Sequence, residues 1–203
     1  CDTIARRRQF SHSGSMAKQR VIYIHGFNSS PDSFKAQQFG QYLLKYHDVE
    51  YLVPKLNHEP REILLTLEAL ITPNTKLIGS SLGGFFATFL SQRHQLPAVV
   101  VNPAVAPFTL MKDYLGQQYN PYQDYYYDVT TQHVADLKQL YVNSLSSPQL
   151  IFLLQQMGDE VLDFSQAVDY YKNCRQRIEF AGDHSFIGFQ RYFPDIVDFL
   201  KIS

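Results

Sequence analysis

Short apolar runs recur along the chain, and each of them ends close to a glycine, a proline or a polar loop. The runs are RVIYI at 20–24, VEYLV at 49–53, KLIG at 76–79, AVVV at 98–101, LIFLLQ at 150–155 and RIEF at 177–180. Most of them lack a polar alternation, which is typical of strands that are covered on both faces. We therefore predict six strands.

Segments with helical periodicity separate these strands. After the first strand, Ser30-Pro31-Asp32 provides a helix cap, a first-turn proline and an early acid. Further helices are predicted from Pro60, over 82–93, at about 163–173 and over 186–200. Strands that alternate with helices need crossover connections. The pattern therefore predicts an α/β protein with a six-stranded, mainly parallel sheet and helices on both faces.

One segment, residues 103–148, is longer than a single crossover helix requires. It contains six tyrosines between positions 114 and 127, and its periodicity predicts a helix at 131–141. We interpret it as a lid-like insertion after the fourth strand, at the carboxyl edge of the sheet. Tyrosine suits such a position because its ring is apolar while its hydroxyl can face water.

The first fifteen residues differ in composition from the rest. They include three consecutive arginines at 6–8, and Gly14-Ser15 stands directly before Met16. We interpret 1–15 as an appended expression tag, with a basic targeting peptide as the alternative, and 16–203 as a single domain.

Composition narrows the classes of function. The chain has 203 residues, 45% of them hydrophobic, and a formal net charge of −1. This size can bury a substantial core, and the charge favours neither nucleic acid nor an anionic membrane surface. No apolar run approaches the roughly 20 residues that span a bilayer. Two cysteines form no disulfide framework, so we expect a cytoplasmic protein. The oligomeric state stays open.

A Gly-x-Ser-x-Gly pattern covers Gly79 to Gly83, with Ser81 at its centre. The pattern alone is common, but here a predicted strand ends at Gly79 and a predicted helix begins at Leu82. This strand–turn–helix setting exposes a serine hydroxyl at the carboxyl edge of a sheet, where it can act as a nucleophile. The alternative interpretation is an ordinary turn between a strand and a helix.

The loop after the first strand, His25-Gly26-Phe27, should meet the same edge. Together with the residue after the nucleophile, such a loop donates backbone N–H groups to a developing oxyanion. We therefore predict Phe27 and Leu82 as the oxyanion donors. His25 is expected to brace the loop close to the substrate.

A serine nucleophile needs a base and an acid that orients the base. In this arrangement the acid and then the histidine follow the serine along the chain. Only His184 lies after the fifth strand, so we predict it as the base. Asp159 follows the end of that strand and is the predicted acid, with Glu160 and Asp163 as alternatives.

Apolar residues near these loops are candidates for the wall of an acyl pocket. The predicted substrate-binding residues are His25, Val105 and Phe108. Phe27 and Leu82 are further candidates. No local spacing of histidines or cysteines suggests a metal ligand set, and no phosphate-binding loop is present. We expect neither a metal nor a cofactor.

With these residues identified, the chain resembles the YqiA-like bacterial esterases, a compact α/β-hydrolase family, over nearly all of 21–200. The resemblance rests on five blocks: YIHGFNSSP (23–31), GSSLGGFFAT (79–88), LPAVVVNPAV (96–105), LLQQMGDEVLD (153–163) and HSFIGFQRYF (184–193). It implies esterase activity, a minimal sheet without extra N-terminal strands, and catalytic roles for Ser81, Asp159 and His184.

These observations together lead us to expect a serine esterase that forms an acyl-enzyme on Ser81. Its expected substrates are small-molecule carboxylic esters, and acyl thioesters are a further candidate class. The alternative is a non-catalytic protein of the same fold that binds a ligand or another protein. The residues do not indicate the acyl chain length.

Overall fold

The computed structural model describes residues 17–203, so the expected tag at 1–15 lies outside the described residues. The strands are β1 (Arg20–Ile24), β2 (Glu50–Leu52), β3 (Thr75–Ser80), β4 (Ala98–Val101), β5 (Gly116–Asn120), β6 (Tyr125–Val129), β7 (Ile151–Gln156) and β8 (Arg175–Glu179). The helices are α1 (Phe34–Tyr46), α2 (Pro60–Glu68), α3 (Leu82–His94), α4 (Pro107–Met111), α5 (Thr131–Gln139), α6 (Phe164–Tyr170) and α7 (Phe193–Leu200).

Six strands form one sheet in the order β2-β1-β3-β4-β7-β8. Every neighbouring pair in this sheet is parallel. The two remaining strands, β5 and β6, pair with each other as an antiparallel hairpin. The predicted α/β fold with a six-stranded sheet is therefore confirmed. Because the strands are parallel, the loops that follow β1, β3, β4, β7 and β8 all meet at one edge of the sheet.

A hydrophobic core lies against each face of the sheet, since successive residues of a strand point to opposite faces. On one face, Val21 and Tyr23 pack with residues of α1 and α7. On the other face, Ile22 and Ile24 pack with residues of α2, α3 and α6. Because helices bury both faces of the sheet, the central strands are apolar throughout. The predicted helices on both faces are confirmed.

The bounds of the strands agree with the sequence predictions to within one residue, except for β8. β1 and β4 have the predicted bounds, and β2, β3 and β7 differ by one residue at each end. β8 begins two residues earlier and ends one residue earlier than predicted. It lies at an edge of the sheet and is partly exposed, so its sequence need not be apolar.

The predicted helix at 186–200 is wrong in its first half. α7 begins at Phe193, after a short 3-10 turn over 189–192. Positive φ angles at Phe186 (65°) and Gly188 (74°) interrupt a helix there. The predicted helices at 131–141 and 163–173 also end early, at Gln139 and Tyr170.

Residues 103–148 contain α4, the β5–β6 hairpin and α5. The hairpin was not predicted, although the burial of β6 alternates along the strand as a half-covered strand should. The lid role of this segment stays a prediction. Among residues 17–203, each helix is too short or too polar to cross a bilayer.

Candidate active site

Ser81 is the single residue between β3 and α3, and its backbone has φ 54° and ψ −123°. This conformation is strained for a residue with a side chain, so the surrounding chain must hold it in place. A Cβ placed on Gly79 would lie 2.2 Å from the carbonyl oxygen of Gly83. A Cβ placed on Gly83 would lie 2.0 Å from the carbonyl oxygen of Ile24. The glycines of the motif are therefore needed for the close approach of strand and helix.

The side chains of Ser81, His184 and Asp159 form one hydrogen-bonded chain. His184 Nε2 lies 3.1 Å from Ser81 Oγ. His184 Nδ1 lies 2.8 Å from Asp159 Oδ2 and 3.0 Å from Oδ1. A carboxylate can only accept, so Nδ1 carries the proton and Nε2 is left to accept a proton from the serine hydroxyl. The three loops that hold these residues follow β3, β7 and β8.

The Asp159 side chain is fully shielded from solvent. Burial alone would raise the pKa of its carboxyl, but the hydrogen bond from His184 and those from the N–H groups of Leu162 and Val161 outweigh burial and lower the pKa. Both N–H groups lie 2.9 Å from Asp159 Oδ1. The carboxylate therefore stays ionised beside the imidazole, which fixes the orientation of the ring.

The two alternative acids have other partners. The Glu160 carboxylate accepts a hydrogen bond from the backbone N–H of His184 at 3.0 Å. The Asp163 carboxylate accepts from the N–H of Ser165 at 2.9 Å and caps α6. Of the three candidates, Asp159 is the one whose side chain hydrogen-bonds the imidazole of His184.

Two buried amides, which sequence reasoning missed, hold the loop that carries His184. Asn102 Nδ2 donates to the carbonyl oxygens of Asp183 and His184, at 2.9 and 3.1 Å. Gln156 Oε1 accepts from the N–H groups of Asp183 and Ile187, at 3.2 and 2.9 Å. Asn102 Oδ1 in turn accepts from the N–H of Gln156 at 2.9 Å. These bonds connect the ends of β4 and β7 to the histidine loop.

The loop after β1 lies directly beside Ser81. A Cβ placed on Gly26 would lie 3.1 Å from Ser81 Cβ and 3.7 Å from Ser81 Oγ. The next residue, Phe27, lines the cleft together with Ser81. Leu82 is the first residue of α3, so its N–H has no acceptor within the helix. Both predicted oxyanion donors thus flank the serine.

The β5–β6 hairpin hydrogen-bonds this same loop, a connection that the sequence did not reveal. The Tyr127 hydroxyl donates to Asn28 Oδ1. Gln123 Nε2 donates to the carbonyl oxygen of Ser29 at 2.8 Å, and Asn120 Nδ2 donates to the same oxygen at 3.3 Å. These bonds hold the segment directly after Phe27.

His25 is buried, and its two ring nitrogens are both occupied. Nδ1 lies 3.0 Å from the carbonyl oxygen of Gly26, and Nε2 accepts from the N–H of Leu56 at 3.1 Å. Burial lowers the pKa of the imidazole, since the charged form loses hydration. The neutral ring therefore bridges the loop after β1 to the segment before α2.

An open cleft of about 790 Å³ lies in front of Ser81 and His184. Its wall also includes Phe27, Phe34, Lys35, Tyr122, Glu160 and Ile187. The other predicted pocket residues lie elsewhere. Val105 lines a separate cavity of about 540 Å³, and the Phe108 ring packs edge-on against Tyr141 at 5.4 Å. His25 and Leu82 line a small cavity together with Leu56 and Ile63. The cleft wall includes none of Val105, Phe108, His25 and Leu82.

A group of metal-ligating side chains lies outside the cleft, and the sequence does not reveal it because one member lies more than 70 residues along the chain from the other two. The ligand atoms of His58, Glu59 and His133 lie within 4.8 Å of one another. His133 Nδ1, however, accepts the N–H of Thr130 as part of the cap of α5. Binding a cation through Nε2 would place a proton on Nδ1 and break this bond. The donor set thus fits a metal poorly.

A family model described as an uncharacterised protein family, UPF0227, matches residues 20–201. Among solved structures, the chain is similar to mouse alpha/beta hydrolase domain-containing protein 10, with a TM-score of 0.68 and 12% identity over 88% of this chain and 89% of that one.

Two bacterial structures are similar to the chain over comparable lengths. Est1E from Butyrivibrio proteoclasticus, solved with ferulic acid bound, has a TM-score of 0.68 and 12% identity over 90% of this chain and 88% of its own. The esterase domain of a Rhodothermus marinus protein has a TM-score of 0.60 and 16% identity over 92% and 88%. At these identities the similarity shows the α/β-hydrolase fold.

Proposed function

The chain belongs to UPF0227, the YqiA family, and we propose that it hydrolyses carboxylic esters through a covalent intermediate on Ser81. The observation that carries this proposal is the hydrogen-bonded chain from Asp159 through His184 to Ser81. Solved neighbours that include esterases agree with it. The protein is therefore proposed as a serine esterase within a hydrolase fold.

In the first half of the reaction, His184 Nε2 takes the hydroxyl proton as Ser81 Oγ attacks the ester carbonyl carbon. The carbonyl oxygen becomes an oxyanion, which the N–H groups of Phe27 and Leu82 stabilise. The tetrahedral intermediate then collapses, the bond to the leaving oxygen breaks, and His184 gives its proton to that oxygen. The products are a free alcohol and an acyl group on Ser81.

In the second half, water takes the place of the alcohol. His184 removes a proton from the water, and the resulting hydroxide attacks the acyl carbon. The second tetrahedral intermediate breaks its bond to Ser81 Oγ, and His184 returns the proton to the serine. The acid is released and the enzyme is regenerated. Asp159 stays ionised throughout and stabilises the imidazolium that forms in each half.

The proposed substrates are small-molecule esters, and acyl thioesters are the second candidate class for the same chemistry. The nucleophile, base and orienting acid are all protein side chains, so the proposed reaction needs no cofactor. We propose the cytoplasm as its compartment, because Cys174 is a buried free thiol and the sequence offers no disulfide framework.

The experiment that tests the proposal compares the wild type with Ser81→Ala on a series of 4-nitrophenyl esters of increasing acyl length. We expect the variant to lose at least about 10⁴-fold in kcat while it keeps the wild-type Tm. Ser144→Ala, at an exposed serine outside the cleft, is the matched control and should keep full activity. Hydrolysis by Ser81→Ala at the wild-type rate would reject the mechanism. A wild type that hydrolyses no ester would instead favour a non-catalytic binding protein.

A further inference from the structure

Lys35 is a partly buried cation on the wall of the same cleft as Ser81 and His184. It is the second residue of α1, and its Nζ donates a hydrogen bond to the carbonyl oxygen of Ser185 at 2.9 Å. The mechanism described above does not use this side chain. An ammonium group has three donors, and the backbone carbonyl occupies one of them.

The ammonium of Lys35 has no direct carboxylate partner within the described residues. The lysines that form ion pairs in 17–203 are Lys18 and Lys172. Burial lowers the pKa of Lys35, and the charges of Asp183 and Asp159 oppose that shift through space. A partly desolvated cation without a contacting anion is a favourable place for a negatively charged ligand.

The two carboxylates that act on Lys35 through space already have hydrogen-bond partners. The Asp183 carboxylate accepts from the Ser185 hydroxyl, and the Asp159 carboxylate accepts from the imidazole of His184. Both oxygens of Asp159 lie within hydrogen-bond distance of His184 Nδ1, and neither carboxylate forms an ion pair with Lys35 in the described residues. The ammonium thus keeps donors for a group that enters the cleft.

The position of Lys35 relative to His184 indicates which part of the substrate it would meet. His184 gives its proton to the leaving oxygen, so the leaving group must lie against the imidazole. Lys35 is hydrogen-bonded to the residue directly after His184, and both side chains line the same cleft. A leaving group held against the imidazole therefore occupies the cleft that the ammonium lines.

We propose that Lys35 binds a negatively charged group, a carboxylate or a phosphate, on the leaving group of the substrate. The inference rests on the proposed esterase function and adds a substrate class to it. The rest of the cleft does not favour anions in general, since Glu160 and the exposed Asp32 also line it. Selectivity for anionic substrates therefore depends on a negatively charged group that can reach Lys35.

Two butyrate esters that differ in one substituent test this assignment. 4-Carboxyphenyl butyrate has an anionic leaving group, and 4-carbamoylphenyl butyrate has a neutral one of nearly the same shape. We expect the wild type to have the higher kcat/KM on the anionic ester. Lys35→Met also removes the hydrogen bond to the carbonyl oxygen of Ser185, and the change in kcat/KM on the neutral ester measures that loss. On the anionic ester kcat/KM should fall roughly 10-fold to 100-fold further than on the neutral ester, the size of one lost charge-assisted hydrogen bond.

Two further variants separate recognition from other effects. Lys35→Arg keeps the charge and should retain the preference for the anionic ester. Lys45→Met removes the same charge from the exposed end of α1 and should leave both esters unaffected. The wild-type preference should also weaken as salt is raised from about 0.05 to 0.5 M, because salt screens the attraction.

The outcomes distinguish this inference from the proposed function. Equal losses on both esters in Lys35→Met, or a wild type without a preference, would overturn the role of Lys35 while the esterase function stands. A wild type that hydrolyses neither ester, and whose Ser81 is not modified by a neutral fluorophosphonate, would overturn both.

Discussion

The Tyr127 hydroxyl of the β5–β6 hairpin donates a hydrogen bond to Asn28 Oδ1, in the loop after β1 that lies beside Ser81. The Phe27 ring also packs edge-on against Tyr127, with a centroid distance of 5.8 Å. The segment between β4 and β7 is therefore attached to the proposed oxyanion loop by a side-chain hydrogen bond and by aromatic packing.

Removing this hydroxyl should affect catalysis more than binding. In Tyr127→Phe the loop loses one anchor, and we expect kcat to fall roughly tenfold, since small misplacements of catalytic groups have effects of this order. KM and Tm should change little, because the ring still packs. Tyr126→Phe is the control, since Tyr126 is 68% exposed on the same strand. Steady-state kinetics with an equal kcat for both variants would contradict the anchoring role.

The amide of Gln156 should support both stability and turnover. Gln156→Met leaves the N–H groups of Asp183 and Ile187 without their acceptor in a partly buried site. We expect the free energy of unfolding to fall by about 1–3 kcal/mol and kcat to fall more than about tenfold, because the His184 loop loosens.

Denaturant unfolding and ester kinetics measure the two effects of this substitution. Gln117→Met, at an exposed position of β5, is the control for the change in side chain. An unchanged kcat in a destabilised Gln156→Met would show that Gln156 has no part in placing His184.

The turn between β3 and α3 that carries Ser81 should not tolerate a methyl group at Gly83. An alanine Cβ there would lie 2.0 Å from the carbonyl oxygen of Ile24 and 2.9 Å from that of His25. The backbone cannot move away as a flexible side chain can. We therefore expect Gly83→Ala to lower the free energy of unfolding by about 4 kcal/mol or more, or to prevent folding.

Gly116 offers the contrast, since a Cβ there would meet nothing within 4 Å although its φ is +98°. Gly116→Ala should lower the free energy of unfolding by only about 1–2 kcal/mol, because the backbone conformation alone is strained. Thermal unfolding of both variants measures the difference. Equal Tm values for Gly83→Ala and Gly116→Ala would contradict the close packing at the turn between β3 and α3.

The ionised Asp159 should make stability depend on pH in the acid range. Its pKa in the folded protein is lowered, mainly by the hydrogen bond from His184 acting against burial. Stabilisation is therefore fully present above the unfolded pKa of about 3.9 and is lost as the pH falls through the lower folded value. Asp159→Asn cannot titrate and should lack this dependence.

Unfolding free energies of the wild type and Asp159→Asn, measured from about pH 5 down to about pH 2, test this sign. The difference in unfolding free energy by which the wild type exceeds Asp159→Asn should shrink as the pH falls. A difference that grows in this range would mean that the Asp159 carboxyl has a raised pKa in the folded state.

The central sheet could be predicted from the sequence because burial on both faces removes polar residues from its strands. The edge strand β8, with its two exposed arginines, carries a weaker signal, so its start was misplaced. The start of α7 was misplaced as well, because the strained φ of Phe186 is set by tertiary packing. The β5–β6 hairpin was not predicted, because a high tyrosine content by itself does not distinguish a hairpin from an irregular insertion.

The candidate triad could be predicted because motif and chain order leave few choices along an α/β chain. The side chains that hold it could not. Asn102 and Gln156 bond backbone groups of a loop about 30 to 80 residues away, and backbone partners leave no trace in the sequence. The pocket residues Val105 and Phe108 were predicted from apolarity alone, which does not tell a cleft wall from a second cavity or from core packing.

The most direct measurement is the site at which a fluorophosphonate modifies the protein, determined by mass spectrometry of the intact chain and its peptides. A nucleophile activated by His184 should give one adduct per chain, on the peptide that contains Ser81. The adduct should be absent in Ser81→Ala and should form far more slowly in His184→Ala. A wild-type protein that stays unmodified, or that is modified at a different residue, would contradict the account.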